Sequence, residues 1–199
     1  SIEENAFCEC RSLRQITIPS SVTSIGNRAF SCCYKLTPIT IPSSVTSIGN
    51  RAFSCCYEFT EITIPSSVTS IGKNAFGGCS NLKTIFVDSN NPKYVSIDDV
   101  LFTKDFQTLI CYACKTKNTQ YTIPSSVTSI EDNAFYECNS LTQITIPSSV
   151  ISIGNSAFYR CTKLTQITIP SSVTSIGKNA FGGCSKLKTI FVDSNNPKY

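Results

Sequence analysis

Leu13-Arg14-Gln15-Ile16-Thr17-Ile18-Pro19-Ser20-Ser21-Val22-Thr23-Ser24-Ile25-Gly26-Asn27-Arg28-Ala29-Phe30-Ser31-Cys32-Cys33 opens a unit that begins again at Leu36, then at Phe59, Leu82, Leu141, Leu164 and Leu187. Five of the six steps are 23 residues long, and the step from Leu82 to Leu141 is 59. A fixed period in the range of about 20 to 50 residues is the mark of a solenoid, in which each unit buries its apolar side only against its neighbours. The chain of 199 residues therefore counts as one continuous array rather than one or two globular domains.

Within the unit, Ile16 and Ile18 alternate with Gln15 and Thr17, the pattern of a half-buried strand. Pro19 ends it, because proline supplies no backbone donor to a sheet. Ser21 to Ile25 alternates again and reads as a second short strand, after which Gly26 turns the chain. Ala29, Phe30 and Cys33 then suit a single helical or 3₁₀ turn, too short to stand alone. Stacking should form parallel ladders about 4.8 Å apart. Ile16, Ile39, Ile62 and Ile85 would form one column inside, and Phe30, Phe53 and Phe76 another under the turn.

The long step contains two apolar runs, Val100 to Phe102 and Thr108 to Tyr112, with Lys104-Asp105-Phe106 between them. They predict a β-hairpin. The expected organisation is regular repeats over 1–87, a longer unit over 88–122 and regular repeats over 123–199. Ser1 to Phe7 aligns with Ser129 to Phe135, and Lys178 to Tyr199 repeats Lys73 to Tyr94 with one difference, Asn81 against Lys186. The chain thus reads as an excerpt of a longer array with a superperiod of 105 residues, and pairing of its two ends with each other stays open.

The pattern Leu-x-x-Ile-x-Ile-Pro-x-Ser-Val-x-x-Ile-Gly-x-x-Ala-Phe-x-x-Cys resembles the BspA-like leucine-rich repeat family, over essentially the whole chain. The stretch Asp88-Ser89-Asn90-Asn91-Pro92-Lys93-Tyr94 is similar to the longer unit that interrupts such arrays. The resemblance implies a right-handed, curved, mostly β solenoid of the α/β leucine-rich-repeat type. It also implies a cell-surface or secreted location and adhesion to a protein partner, such as a host extracellular-matrix protein.

Chemistry finds little support. There is no histidine, which removes Ser-His-Asp and Cys-His arrangements. The serines belong to Pro-Ser-Ser-Val turns with local hydrogen bonds, and Gly77-Gly78 and Gly182-Gly183 lack the Lys-Ser or Lys-Thr of a phosphate loop. No cofactor is implied. A net charge of +4, scattered over the repeats, speaks against nucleic acid, and no apolar run is long enough to span a bilayer.

Seven of the twelve cysteines, Cys10, Cys33, Cys56, Cys79, Cys138, Cys161 and Cys184, share one repeat position and read as buried thiols. Cys111 and Cys114 have the spacing of a redox or metal pair, but no further ligands support zinc. A local disulfide or two idle thiols is expected there. Many free thiols suit a reducing compartment, which makes a cytoplasmic location the alternative to the surface one.

With the isoleucines inside, strand parity turns a row of residues outward as the candidate partner-binding face. The row comprises Gln15, Thr17, Thr40, Glu61, Thr63, Phe86, Gln143, Thr145, Gln166, Thr168 and Phe191, together with Pro38, Thr84 and Thr189. Phe86 and Phe191 are its aromatic anchors, unless each packs beneath the adjoining long unit. The leading reading is a non-enzymatic protein-binding module. An intracellular scaffold for a signalling protein is the second, and a threonine surface that orders water is a weak third, since only single threonines line each rung.

Overall fold

The computed structural model describes residues 1–199. The chain winds into a β-solenoid of about seven turns with parallel strands and no helix. Complete coils begin at Leu13, Leu36, Phe59, Leu82, Asn118, Leu141 and Leu164, so the long step holds one enlarged coil, 82–117, and one regular coil, 118–140.

Two rails of short strands, numbered in chain order, run along the array. The second-strand rail starts with β1 (Ser24–Ile25), β2 (Ser47–Ile48) and β4 (Ser70–Ile71), and resumes with β10 (Ser129–Ile130), β12 (Ser152–Ile153) and β14 (Ser175–Ile176). Like residues pair in parallel, Ser24 with Ser47 and Ser47 with Ser70. The first-strand rail consists of three separate pairs. They are β3 (Glu61–Ile64) with β5 (Thr84–Val87), β9 (Gln120–Thr122) with β11 (Gln143–Thr145), and β13 (Gln166–Ile169) with β15 (Thr189–Val192).

Residues 15–18 and 38–41, expected as strands, form none. Thr37 N still donates to Arg14 O at 2.9 Å. The next residue is Pro38, where other coils have Gln15, Glu61 or Gln143, and it has no N–H to offer. Ile16 and Ile39 are accordingly only half-buried, whereas Ile62 and Ile85 are buried as expected. β11 and β13 part in the same way without a proline, and nothing in the structure explains that break.

The enlarged coil uses β5 and β8 (Thr108–Tyr112) as its two strands, with β6 (Tyr94–Ile97) and β7 (Val100–Thr103) inserted between them. β7 and β8 form the expected hairpin, and β6 extends it to an antiparallel meander. β8 also pairs in parallel with β10, Thr108 against Ser129, so the insertion hands the chain back to the ladder.

The helical or 3₁₀ turn is not formed. Arg28 and Cys32 adopt φ of 53° and 60°, in the left-handed region, which interrupts any right-handed run. Backbone donors instead alternate. Ala29, Ser31 and Cys33 close tight turns onto Gly26, Arg28 and Phe30, while Arg28, Phe30 and Cys32 donate to Asn50, Ala52 and Ser54 of the next coil.

Two apolar clusters result, one running from Ile18 to Ala113 and the other from Val100 to Ala180. The meander partitions them: Leu101, Cys111 and Ala113 belong to the first, Val100, Phe102, Leu109 and Tyr112 to the second. Phe7, Phe30, Phe53 and Phe76 stack at centroid distances of 5.2, 5.3 and 5.8 Å. Tyr112 takes the phenylalanine position in the enlarged coil, 5.1 Å from Phe135.

The cysteine column needs correction. Cys33, Cys56, Cys79 and Cys161 are buried free thiols, each donating to the phenylalanine carbonyl of the preceding coil at 3.1 to 3.2 Å. Cys10 is exposed and Cys184 half-buried, because they lie in the outermost turns. Cys138 is no thiol: it forms a disulfide with Cys114, with Cα atoms 4.4 Å apart. The short turn of the enlarged coil delivers Cys114, not a regular-column residue, opposite Cys138. Neither alternative read for Cys111 and Cys114 holds for the pair: Cys114 is bridged elsewhere, and Cys111 alone stays a buried thiol.

Candidate functional site

First strands alternate exposed and buried residues, as in Glu61 to Ile64, because their inner side chains meet the core and their outer ones meet solvent. Gln15, Thr17, Thr40, Glu61, Thr63, Phe86, Gln143, Thr145, Gln166, Thr168 and Phe191 are all exposed. Pairing brings several together. Glu61 stands beside Thr84 and Thr63 beside Phe86, and Gln166 and Thr168 stand beside Thr189 and Phe191. Gln143 and Thr145 stand beside Gln120 and Thr122, which the 23-residue period places in the same row but which the sequence reading passed over.

Phe86 is 56% exposed and so does not pack beneath the enlarged unit that follows it; Phe191, in the last strand, is 51% exposed. Next to Phe86, the amide of Val87 donates to Ser96 Oγ at 3.1 Å, which ties the end of β6 to β5, and the following residue, Ile97, is 48% exposed. Phe86 and Ile97 thus put two large apolar side chains near the middle of the array. No sequence signal pointed to Ile97, because β6 was not read as a strand. Asp98 and Asp99 follow it, both in the left-handed region, in the tight connection to β7.

Towards the first coils the parted rungs leave a cavity of about 490 Å³ lined by Gln15, Ile16, Thr17, Pro38, Ile39 and Thr40, among others. None of its lining groups is ionisable. It offers hydroxyls, an amide and branched apolar surface, a set suited to contact with another polypeptide rather than to proton transfer.

In four of the six Pro-Ser-Ser-Val motifs the second serine bonds across coils rather than locally: Ser44, Ser67, Ser149 and Ser172 donate to Val22, Val45, Val127 and Val150 carbonyls at 2.7 Å. Burial pushes the Cys33 thiol up to about 11 and the Cys111 thiol up to about 12, which keeps both protonated near neutral pH as long as they stay buried. Burial likewise raises the Glu131 carboxyl, opposed by Lys73.

A second surface was not anticipated. On the turn side Arg11 lies 5.6 Å from the Tyr34 ring, which stacks on Tyr57, and Arg160 lies 5.4 Å from the Tyr159 ring, which stacks on Tyr136. The rings cover one another's faces, so their edges and hydroxyls carry the contact with solvent.

Comparison with known proteins agrees with this architecture. A family model described as the BspA type leucine rich repeat region, in six copies, matches residues 1–110 and 104–198. No curated protein sequence matches. The crystal structure of the pneumococcal vaccine antigen PcpA superposes with a TM-score of 0.80 at 28% identity, over 92% of this chain and 52% of that one. A leucine rich cell surface protein from Faecalibacterium prausnitzii A2-165 gives 0.73 at 32% identity, over 96% and 63%. A leucine-rich repeat protein from Eubacterium ventriosum gives 0.70 at 32%, over 92% and 61%. The chain spans between about half and three fifths of the length of these proteins. With nearly every residue inside the matched regions, the chain belongs to the BspA-type leucine-rich repeat family.

Proposed function

We propose that the chain is a non-enzymatic module that binds a protein partner at a cell surface through the open face, with Phe86 and Ile97 as anchors. The observation that carries this reading is the pair of large apolar side chains held out of the core beside rows of threonine and glutamine on a rigid strand scaffold. Rigid, partly apolar surfaces with aromatic anchors concentrate binding energy in few residues. The likeness to a leucine rich cell surface protein and to a vaccine antigen supports the location. An adhesive role towards extracellular-matrix protein follows as the working hypothesis for the partner.

A panel of purified extracellular-matrix proteins, titrated over the immobilised chain, tests this. Capture by at least one of them should weaken tenfold or more, about 1.4 kcal/mol, in Phe86→Ser and Ile97→Ser, with unchanged far-ultraviolet dichroism. Undiminished capture by both variants would remove the open face from the account. One observation favours a second reading: ten of the cysteines are free, as in a reducing compartment. In that case the same face serves an intracellular scaffold, and matrix proteins will not bind.

A further inference from the structure

Regular coils are tied together by backbone hydrogen bonds along both the second strands and the turns. Between the coils that start at Leu36 and Phe59, the amides of Arg51, Phe53 and Cys55 donate forward while those of Thr69, Ser70 and Gly72 donate back. At the next junction the pattern stops. The corresponding amides of Asn74, Phe76 and Gly78 donate to no carbonyl, and β4 has no partner beyond β2. On the other rail, β5 pairs only with β3, and β9 only with β11.

Strand pairing is therefore interrupted on both rails, and the break is staggered between them. From residues 1–87 to residues 94–199 a single backbone hydrogen bond crosses, Lys115 N to Leu82 O at 2.8 Å. Two more use side-chain oxygens, Ile71 N to Tyr94 Oη at 2.8 Å and Val87 N to Ser96 Oγ at 3.1 Å. No salt bridge crosses.

The seam is also imperfectly satisfied. Asn74 Oδ1 is buried there without a hydrogen-bond partner, and such an atom regains its solvation when exposed. Beside it, Gly77 abuts Asn133 of the other side. The Cys114–Cys138 disulfide lies wholly on the C-terminal side and leaves the seam free.

We propose that this seam is a joint. Residues 1–87 and 94–199 form two rigid bodies that open and close about the link 88–93, while each body keeps its own ladder. Motion there bends the array where Phe86 and Ile97 lie, so a partner that spans the open face selects one angle between the bodies. Packing of Tyr94, Leu101, Cys111 and Ala113 against the first cluster holds the joint closed, and the scarcity of backbone hydrogen bonds across it is what lets it open.

Native cysteines report the motion without new probes. Cys79 and Cys111 lie on opposite sides of the seam in one apolar cluster, 4% and 7% exposed, while Cys56 and Cys161 lie inside the bodies. In native buffer, iodoacetamide labelling mapped by mass spectrometry should modify Cys79 and Cys111 at least tenfold faster than Cys56 and Cys161. Gly77→Ala, whose added carbon would sit 3.3 Å from Asn133 Cβ, should quicken the seam thiols several-fold further and leave Cys161 unchanged. Hydrogen exchange separates a joint from fraying of the 111–117 turn. The Lys115 amide, bonded across the seam, should exchange quickly, and the Tyr112 amide, bonded to Ala134 within one body, slowly. A common labelling rate for all four thiols, or equal acceleration of all four by Gly77→Ala, or fast exchange of Tyr112, overturns the proposal. None of these readouts involves a binding partner, so the joint and the open face stand or fall separately.

Discussion

Glycine at one column of the repeat lets regular coils approach each other closely. Gly49, Gly72, Gly154 and Gly177 each lie so close to the preceding coil that a Cβ would meet its backbone; at Gly154 it would stand 2.4 Å from Asp132 N and 2.5 Å from Glu131 C. The sequence reading took this column only as a turn. Its actual cause is close approach of one backbone to the next, which no residue with a side chain permits. Glu131 occupies the same column in the coil that follows the enlarged one, where the preceding turn is too short to stack beneath it. That exchange of Gly for Glu is the sequence signal that could have located the seam. Gly154→Ala should therefore cost about 3 kcal/mol or more through forced backbone displacement, whereas Glu131→Ala should change stability by less than about 1 kcal/mol. Urea denaturation followed by circular dichroism measures both, and equal losses would contradict the packing assigned to this column.

Among the elements, the meander was half legible. Val100 to Phe102 and Thr108 to Tyr112 stood out because apolar runs flank a polar turn, and both strands are where that pattern put them. β6 escaped because its position depends on one polar residue. Asn91 is 1% exposed; it donates to Pro65 O at 2.7 Å and Val68 O at 2.9 Å and accepts from the amides of Lys93 at 2.9 Å and Tyr94 at 2.8 Å. It thereby stitches the start of the insertion onto the coil before it, a tertiary arrangement that local periodicity cannot report. Asn196 repeats the same four bonds in the last coil, in a partly exposed setting. Replacing Asn91 with Ala leaves several buried groups unpaired and should cost on the order of 3 kcal/mol, against on the order of 1 kcal/mol for Asn196→Ala at its more hydrated site. Calorimetric melting of the two variants checks the ratio, and a larger loss at Asn196 would refute it. The first strands failed in the opposite direction: residues 15–18 carry a good strand pattern but lack a bonded neighbour, since a ladder needs both rungs and Pro38 spoils the second.

At the scale of the whole molecule the period made the solenoid plain, and parity made its outer row plain, because both follow from stacking identical units. The sequence could not show that the stack has two cores. That division arises where alternate residues of one meander face opposite ways, Leu101 and Cys111 towards one cluster, Phe102 and Leu109 towards the other. In a repeat array stability is passed between neighbours, so cooperativity should weaken wherever neighbour coupling is thin. Phe53 and Phe158 sit at 0% exposure in the middle of the two separate aromatic stacks. Truncating either to Ala should cost about 3 to 5 kcal/mol, felt within its own stack. Guanidinium unfolding of the wild type, followed by hydrogen exchange with peptide-level resolution, should therefore show two transitions. Phe53→Ala should move the midpoint for peptides before residue 88 and leave those after residue 118 in place, and Phe158→Ala should do the reverse. If either substitution shifts every peptide together, the two clusters act as one core, and the thin hydrogen bonding between them has no thermodynamic consequence.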